Sequence, residues 1–548
     1  MATTPSVLVV GAGPAGLILA IILRQNGIAV RIIDKEQTYR SGSRGSAIQP
    51  RTLELYDILG VLPAIRSVGE PIPPMAKYEP GEISPTSTVR ISEWVDPTPD
   101  VPHSNALNLN QDDHEGILRA HLQTLSCSVE LGSELRKFEH FSDRVVAHIV
   151  KTDSEGNEVE ETTTFGWLVG TDGAHSVVRK QLGFSFLGET RTEQQIALGD
   201  IIIEEGVKPG LWHMWSVPPK MIVLRSSDST SKKFMFAYTG RPEHVAGKAM
   251  TRDEFIQDFY ALTGRNDVKF GPATWLSNYR PNLRMVDRMR DGRVFIAGDA
   301  AHCHSPTGGQ GLNSSVQDAA NLGWKLALAQ KGVAAPALLD SYSEERLRVI
   351  AQMLQLTTEL FHKTFDPLNS GDKSDDSGWK RGPDMAMLGV NYCGSSIVQE
   401  EPDAVAGSAY LKAEGGRVQA AYRALDASGL IHSGSEDTPT TLFSVFRASS
   451  HTVLLFGSDA PTRAQIAEAV GQFPTGLVRM VEVLPQGHSS GDVTGSVLIL
   501  QDREGHAYKG YKLQPDEFTV VVVRPDGVVG AVARSAEGVK RYFQKIMM

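Results

Sequence analysis

Residues 6–34 read SVLVVGAGPAGLILAIILRQNGIAVRIID. A β-branched run over 6–10 leads into GAGPAG and the periodic LILAIILRQ, and a second apolar run, AVRIID, ends in Asp34. Strand, glycine turn, helix and strand in that order are the context in which a G-x-G-x-x-G motif binds a dinucleotide. Gly11 permits the tight turn, Gly13 lets backbone approach a pyrophosphate, and Gly16 lets helix and strand touch. The helix opened by Pro14 and Ala15 offers unpaired amide N–H groups and a positive dipole end to the phosphates. Asp34, 23 residues beyond Gly11 and followed by Lys35, suits the acceptor of a ribose 2′-hydroxyl.

The same stretch is apolar enough to suggest a leader or a membrane span. As a leader it lacks a basic n-region and a small-residue cleavage site. As a span it is broken by Gly11, Gly13, Pro14 and Gly16 and turns polar at Arg24. A buried strand–turn–helix accounts for it better, so a cytoplasmic protein without membrane contact is expected. The 548 residues exceed one compact core. A net charge of −10 argues against a nucleic-acid partner, which needs a basic face. The three cysteines, Cys127, Cys303 and Cys393, are far apart, which excludes a disulfide scaffold, a zinc ribbon and a dithiol centre and suits a reducing compartment.

NAD and FAD share the fingerprint, so the choice rests on what else the chain commits to the ligand. FGWLVGTDGAHSVVR (165–179) is another apolar run ending in an acid, Asp172, and RVFIAGD (293–299) is a third, ending in Asp299. Strands of a doubly wound sheet deliver such residues to the ligand crevice. Two further acids exceed what NAD needs, whereas the ribityl hydroxyls of a flavin want acceptors, which Asp299 can supply. In IAGDAAHCHSPTGGQGLN (296–313), Gly308, Gly309 and Gly311 let backbone amides reach the flavin's pyrimidine edge, where they stabilise negative charge on the reduced ring. Leu312 and Asn313 open the helix that follows, whose N-terminus adds to that field.

Together, GAGPAG, GTDGAHSVVR and GDAAHCHSPTGGQGLN resemble the FAD-dependent aromatic hydroxylases, the single-component flavoprotein monooxygenases related to p-hydroxybenzoate hydroxylase and phenol 2-monooxygenase. The resemblance spans roughly residues 5–360 and includes SRGSAIQPRTLELYDILG (43–60), QDDHEGILR (111–119) and LLDSYSEERLRVI (338–350). It implies FAD contacts from Arg44 and Gln111, and it places Pro306 beside the flavin ring and Gly309 at its reactive edge. It also implies reduction by NADPH or NADH, addition of O2 to give a C4a-hydroperoxyflavin, and oxygen transfer to a phenolic or other aromatic small molecule. Hydroxylation, epoxidation, dearomatisation and ring oxygen insertion are all open to that chemistry. A homodimer is implied by the resemblance alone. Relatives of the phenol 2-monooxygenase type carry an aspartate around the position of Ser46, so the phenol-deprotonating base has no candidate here.

The implied architecture is α/β: a Rossmann-like FAD-binding domain, an antiparallel-sheet substrate domain and a C-terminal thioredoxin-like α/β domain. The expected boundaries are 1–190 and 286–364 for the FAD-binding domain, 191–285 for the substrate sheet, 365–439 for a linker region and 440–548 for the thioredoxin-like domain. That last domain contains no cysteine, which rules out dithiol chemistry. Short runs between 191 and 285 read as strands, with Trp212, His213, Trp215, Arg225, Phe236 and Tyr238 as pocket candidates and His213, Arg225 and Tyr238 as candidate catalytic groups. Alternation does not say which face looks at the flavin. His302 and His304 flank Cys303, but no carboxylate–histidine cluster completes a metal site, so no metal is expected. HMWSVP (213–218) partly matches the W-x-W-x-I-P of flavin-dependent halogenases, which makes a halogenase one alternative. A flavin-binding scaffold without activity is the other.

Overall fold

The computed structural model describes residues 6–190, 195–240, 250–280, 282–370, 379–399, 418–433, 438–457, 460–488 and 497–548, without the side chains of 190 and 365–370. The first domain is built on a six-stranded sheet in the order Arg290–Asp291, Val294–Ile296, Trp167–Gly170, Val7–Val10, Val30–Ile33, Val129–Glu130. All neighbours are parallel except the first pair. Parallel strands covered on both faces must be apolar throughout, and Val7–Val10 and Trp167–Gly170 are buried at every residue. Val10 pairs with Gly170, and Gly170 with Ile296, so the three strands end level. Gly11, Thr171-Asp172 and residues 297–299 therefore leave the sheet at one edge, the ligand edge of a doubly wound fold.

The helix Pro14–Gln25 packs against the helix Gly311–Gln330 so closely that a Cβ on Gly323 would lie 2.6 Å from Ile22 Cγ2. The first fingerprint and the later loop are thus tied together through their helices. A three-stranded meander, 133–165, sits beside this domain.

The substrate domain is a seven-stranded sheet in the order Lys269–Tyr279, Ile196–Glu205, Lys233–Thr239, Lys220–Ser226, Trp212–Val217, Met75–Tyr78, Ser87–Val89. Its last two strands come from the preceding region, outside 191–285, and one of them, Met75–Tyr78, joins in parallel. One face packs on the helix Arg252–Thr263, with Ile201, Trp215, Ile222, Leu224, Phe234, Phe236, Tyr238, Phe255 and Phe259 in a single core.

The C-terminal domain is a mixed six-stranded sheet in the order Leu430–His432, Leu498–Asp502, Val478–Leu484, His451–Phe456, Thr519–Val523, Val529–Ala533. Helices Ala460–Gly471 and Ala536–Ile546 pack together beside it.

The linker expected over 365–439 is corrected for its described parts. Residues 365–370 continue the helix Ser341–Ser370, and Met387, Val390, Tyr392, Cys393, Val398, Ala420 and Ala421 are buried in the core of the first domain. The polar composition around 370–384 concealed this packing. The domains are also joined by buried charge: Arg524 reaches Glu345 at 2.6 Å and Asp526, while Lys325 reaches Glu345 at 2.7 Å, all three of the longer side chains fully buried. Removing one member would strand its partner's charge in a low-dielectric interior.

Candidate active site

At the fingerprint, Gly11 has φ +101°, and a Cβ there would meet Thr171 O at 2.4 Å. On Gly16 it would meet Gly11 O at 2.1 Å. Both glycines are dictated by close backbone approach. Gly13 differs: a Cβ on it would meet nothing within 4 Å, so the backbone there, beside the helix N-terminus that begins at Pro14 and Ala15, faces open space. Asp34 accepts the Ala12 N–H at 2.9 Å through Oδ2 and the Glu36 N–H at 3.1 Å through Oδ1. Lys35 is exposed beside it.

Asp172 and Asp299 look alike in sequence and differ in structure. Asp172 Oδ2 accepts the N–H groups of Val177 and Val178 at 2.7 and 3.3 Å, and Oδ1 is sealed from solvent. Through Oδ2, Asp172 caps the turn into the short helix Val177–Gln181, while Oδ1 has no hydrogen-bond partner among the described residues. Asp299 is the exposed residue in the otherwise buried stretch 294–303, and its carboxylate bonds no described residue.

Beyond Asp299 the chain forms the loop 304–310. Gly308 and Gly309 lie at φ +84° and +60°, which side chains disfavour. Gln49 Nε2 donates to Gly308 O at 3.2 Å, and Asn313 Nδ2 donates to Gly309 O at 2.6 Å and Ala47 O at 2.9 Å. Asn313 is buried and holds the loop in place rather than pointing outward. Gly311 has a packing reason as well, since a Cβ there would sit 2.1 Å from His304 Nε2. Pro306 is exposed at the loop's apex, and Leu312 is half-buried.

Beneath the loop, Asp318 Oδ2 accepts the Gly298 N–H at 3.0 Å and pairs with His302 Nε2 at 2.7 Å, while Oδ1 pairs with Arg346 Nε at 2.7 Å. His302 is thus committed to a carboxylate and His304 to packing. Among the described residues no group of three His, Cys, Asp or Glu could hold a metal ion. Burial, reinforced by Asp299, pushes the Cys303 thiol up, so it is held protonated.

The register of the substrate sheet answers what alternation left open. Asp200 opposes Met235 on one side and Trp275 on the other, Met235 opposes Arg225, and Arg225 opposes Trp212. This row contacts the first domain. The Ser43 N–H donates to Asp200 Oδ2 at 2.8 Å, Arg225 donates to Arg44 O at 3.2 Å, and the Arg44 guanidinium lies 5.5 Å from the Trp275 ring centre. Arg44 is within electrostatic reach of Asp299, and Tyr279 OH donates to His304 O at 2.8 Å. Gln111 opens the helix Gln111–Thr124 and lies beside Gly45. The loop, Asp299, Arg44, Tyr279, Trp275 and Arg225 are thereby brought together where the sheet meets the first domain. Arg225 is half-buried there, and desolvation lowers its guanidinium to about 10.

Four pocket candidates fall on the opposite face. Trp215, Phe236 and Tyr238 belong to the core against the helix Arg252–Thr263. His213 stacks on Trp215 there; its Nε2 must donate to Lys208 O at 2.8 Å, so Nδ1 accepts from Tyr78 OH at 2.9 Å. With both nitrogens occupied and burial lowering it to about 4, His213 is a neutral core histidine. The catalytic readings of His213 and Tyr238 are corrected accordingly. No local pattern in the sequence marks Trp275 and Tyr279; only the pairing of 269–279 with 196–205 reveals them. Ser46 is buried, with its hydroxyl sealed from solvent, and supplies no base.

The residues fit FAD on two structural observations: the open space at Gly13 and the exposed, unpaired carboxylate of Asp299 beside a glycine loop. Comparison with known proteins agrees. Residues 4–357 match the family described as FAD binding domain, and 493–548 match the phenol hydroxylase C-terminal dimerisation domain. A flavin-dependent monooxygenase of Mycobacteroides abscessus is 33% identical, over 99% of this chain and 100% of its own. Pentachlorophenol 4-monooxygenase of Sphingobium chlorophenolicum is 28% identical, over 94% and 93%. Among solved structures, the flavin-dependent monooxygenase PieE with FAD and substrate superposes with a TM-score of 0.81 at 21% identity, covering 99% of both chains. Aklavinone-11 hydroxylase with FAD and aklavinone gives 0.79 at 23%, covering 99% and 98%. The halogenase and inactive-scaffold alternatives are set aside, since the relatives are monooxygenases and the Trp215 of the partial halogenase motif is buried on the wrong face of the sheet. The chain belongs to the FAD-dependent aromatic hydroxylases and is a flavin-dependent monooxygenase of aromatic substrates.

Proposed function

We propose that the enzyme takes electrons from NADPH or NADH and oxygenates a phenol held between the 304–310 loop and the Trp275–Arg225 face of the substrate sheet. The observation that carries this reading is the meeting of Asp299, the glycine loop and that sheet face at the boundary of the two domains. When bound, FAD supplies the electron store and the centre at which O2 is activated.

The chain's own residues hold and shield that chemistry. The turn Gly11–Gly16 and the helix N-terminus behind it hold the pyrophosphate, Asp34 the ribose, Arg44 and Gln111 the middle of the cofactor, and Asp299 the ribityl chain. The backbone at Gly308 and Gly309 and the first turn of the helix Gly311–Gln330 face the pyrimidine edge and favour negative charge there. Pro306 lies beside the ring. Arg225 has no carboxylate within ion-pair distance among the described residues, so it favours the ionised form of a phenol whose oxygen points to it. Trp212, Trp275 and Met235 give the face an apolar character that limits water.

The dimerisation-domain match over 493–548 supports a homodimer built through the C-terminal domain. No helix among the described residues is long and apolar enough to cross a membrane, and three buried free thiols favour the cytoplasm. The test is oxygen tracing. Turnover of phenols with NADPH under 18O2 is expected to place one labelled atom in the product; product oxygen drawn from water would refute the reading.

A further inference from the structure

The stretch 379–387 lies between the two regions matched by known families and has no assigned role. Its first residue, Trp379, packs against Met75, Ile91, Met214 and Met221. Met214 and Met221 alternate along their strands with the core residues Trp215 and Ile222, so they belong to the same face of the sheet as Arg225. The Arg381 N–H donates to Ile91 O at 2.7 Å, which pins the chain to the loop following the strand Ser87–Val89. Four residues on, Met385 reaches the cofactor loop. Its carbonyl accepts from Gln310 Nε2 at 3.1 Å, and its sulfur lies against Gly308, 2.8 Å from where a Cβ would stand. Leu360 of the helix Ser341–Ser370 touches the same glycine from beside it. The chain then turns at Met387, in a left-handed conformation, and is buried in the first domain, where the Met387 sulfur accepts from Gln317 Nε2 at 3.3 Å.

One end of this short stretch is therefore fixed to the substrate sheet and the other to the glycine loop. The six steps from 379 to 385 span at most about 20 Å, so the chain bridges the sheet face and the loop over a short distance. The sheet face and the loop supply two walls of the space between them. An aromatic ring and a thioether on the crossing chain supply a third, and thioethers adapt readily to irregular apolar ligands.

We infer that Trp379 and Met385 form the third wall of the substrate site and set the size of the aromatic ring system it accepts. This inference rests on the proposed placement of the phenol between loop and sheet. Replacing Trp379 by Ala opens the wall over Met214 and Met221, while Met385→Ala opens it over Gly308. Each change favours a larger fused-ring ligand over a single ring, because pocket volume discriminates ligands that differ by a few carbons by about tenfold or more.

The test uses the FAD-bound enzyme with phenol and 1-naphthol as probes, titrated by the perturbation of the flavin absorbance spectrum. Trp379→Ala is expected to shift the ratio of the two Kd values toward 1-naphthol by on the order of tenfold, with FAD content unchanged and the original ratio restored in Trp379→Phe. Met385→Ala, at a separate contact, is expected to shift the ratio in the same direction and keeps the test open if Trp379→Ala does not fold. Unchanged ratios in folded, FAD-loaded variants would overturn the inference. A wild-type enzyme whose spectrum responds to neither probe would instead overturn the phenol reading, and this inference with it.

Discussion

Asp318 Oδ2 accepts the backbone N–H of Gly298 at 3.0 Å, so a fully buried carboxylate fixes the residue immediately before the exposed Asp299. The same carboxylate neutralises Arg346, one residue from the Glu345 that binds Arg524 of the C-terminal domain. The position of Asp299, the proposed cofactor acceptor, therefore depends on a chain of buried charge. Asp318→Asn leaves Arg346 without its counter-charge and is expected to destabilise the fold by about 3 kcal/mol, measured by urea unfolding. A loss below about 1 kcal/mol would show that the pair does not carry this load.

The Asp299 carboxylate itself bonds no other side chain or backbone group among the described residues. Asp299→Ala is expected to leave the unfolding midpoint of the FAD-free protein unchanged while weakening FAD binding about 10- to 100-fold, the worth of one or two charge-assisted hydrogen bonds. Equilibrium titration of the apoprotein with FAD reads this directly. Full FAD retention in the mutant would remove Asp299 from the site.

The buried His213 makes stability depend on pH with a definite sign. The unfolded chain binds its proton near 6.5, whereas the native imidazole, desolvated, does so only near 4. Protons therefore favour the unfolded state as pH falls through that window, and stability present at pH 7 is lost toward pH 4. Asp426, raised to about 6 by burial, works in the opposite direction, so the informative quantity is a difference between proteins. His213→Gln is expected to lose about 2 kcal/mol less than wild type between pH 7 and pH 5, by urea unfolding at both. Parallel losses in the two proteins would show that His213 is charged or accessible.

The glycine turn was legible in the sequence because the backbone itself is under constraint there. Gly11 and Gly16 are required by contacts of 2.4 and 2.1 Å that any side chain would violate, and such glycines are recognisable from their spacing. Asp172 and Asp299 were not separable, because both end apolar strands and only three-dimensional structure shows that one caps a turn while the other bonds no described residue. The substrate face was illegible for a different reason. Strands alternate with period two whichever face is inward, and the assignment depends on which row meets Ser43 and Arg44, residues 157 and 181 positions earlier than the Asp200 and Arg225 they bond. The strand Met75–Tyr78 and the crossing chain at 379–387 carry no local pattern of their own. Their structure comes from the surfaces they cover.

We propose that a nicotinamide-reduced flavin oxygenates a phenol bound at the Trp275–Arg225 face. The most direct test of this is anaerobic stopped-flow reduction of the enzyme's flavin absorbance by NADPH, with and without a series of substituted phenols. At least one phenol is expected to accelerate reduction strongly, and Arg225→Met is expected to reduce that acceleration while FAD stays bound. Reduction at one rate whatever phenol is present would contradict it.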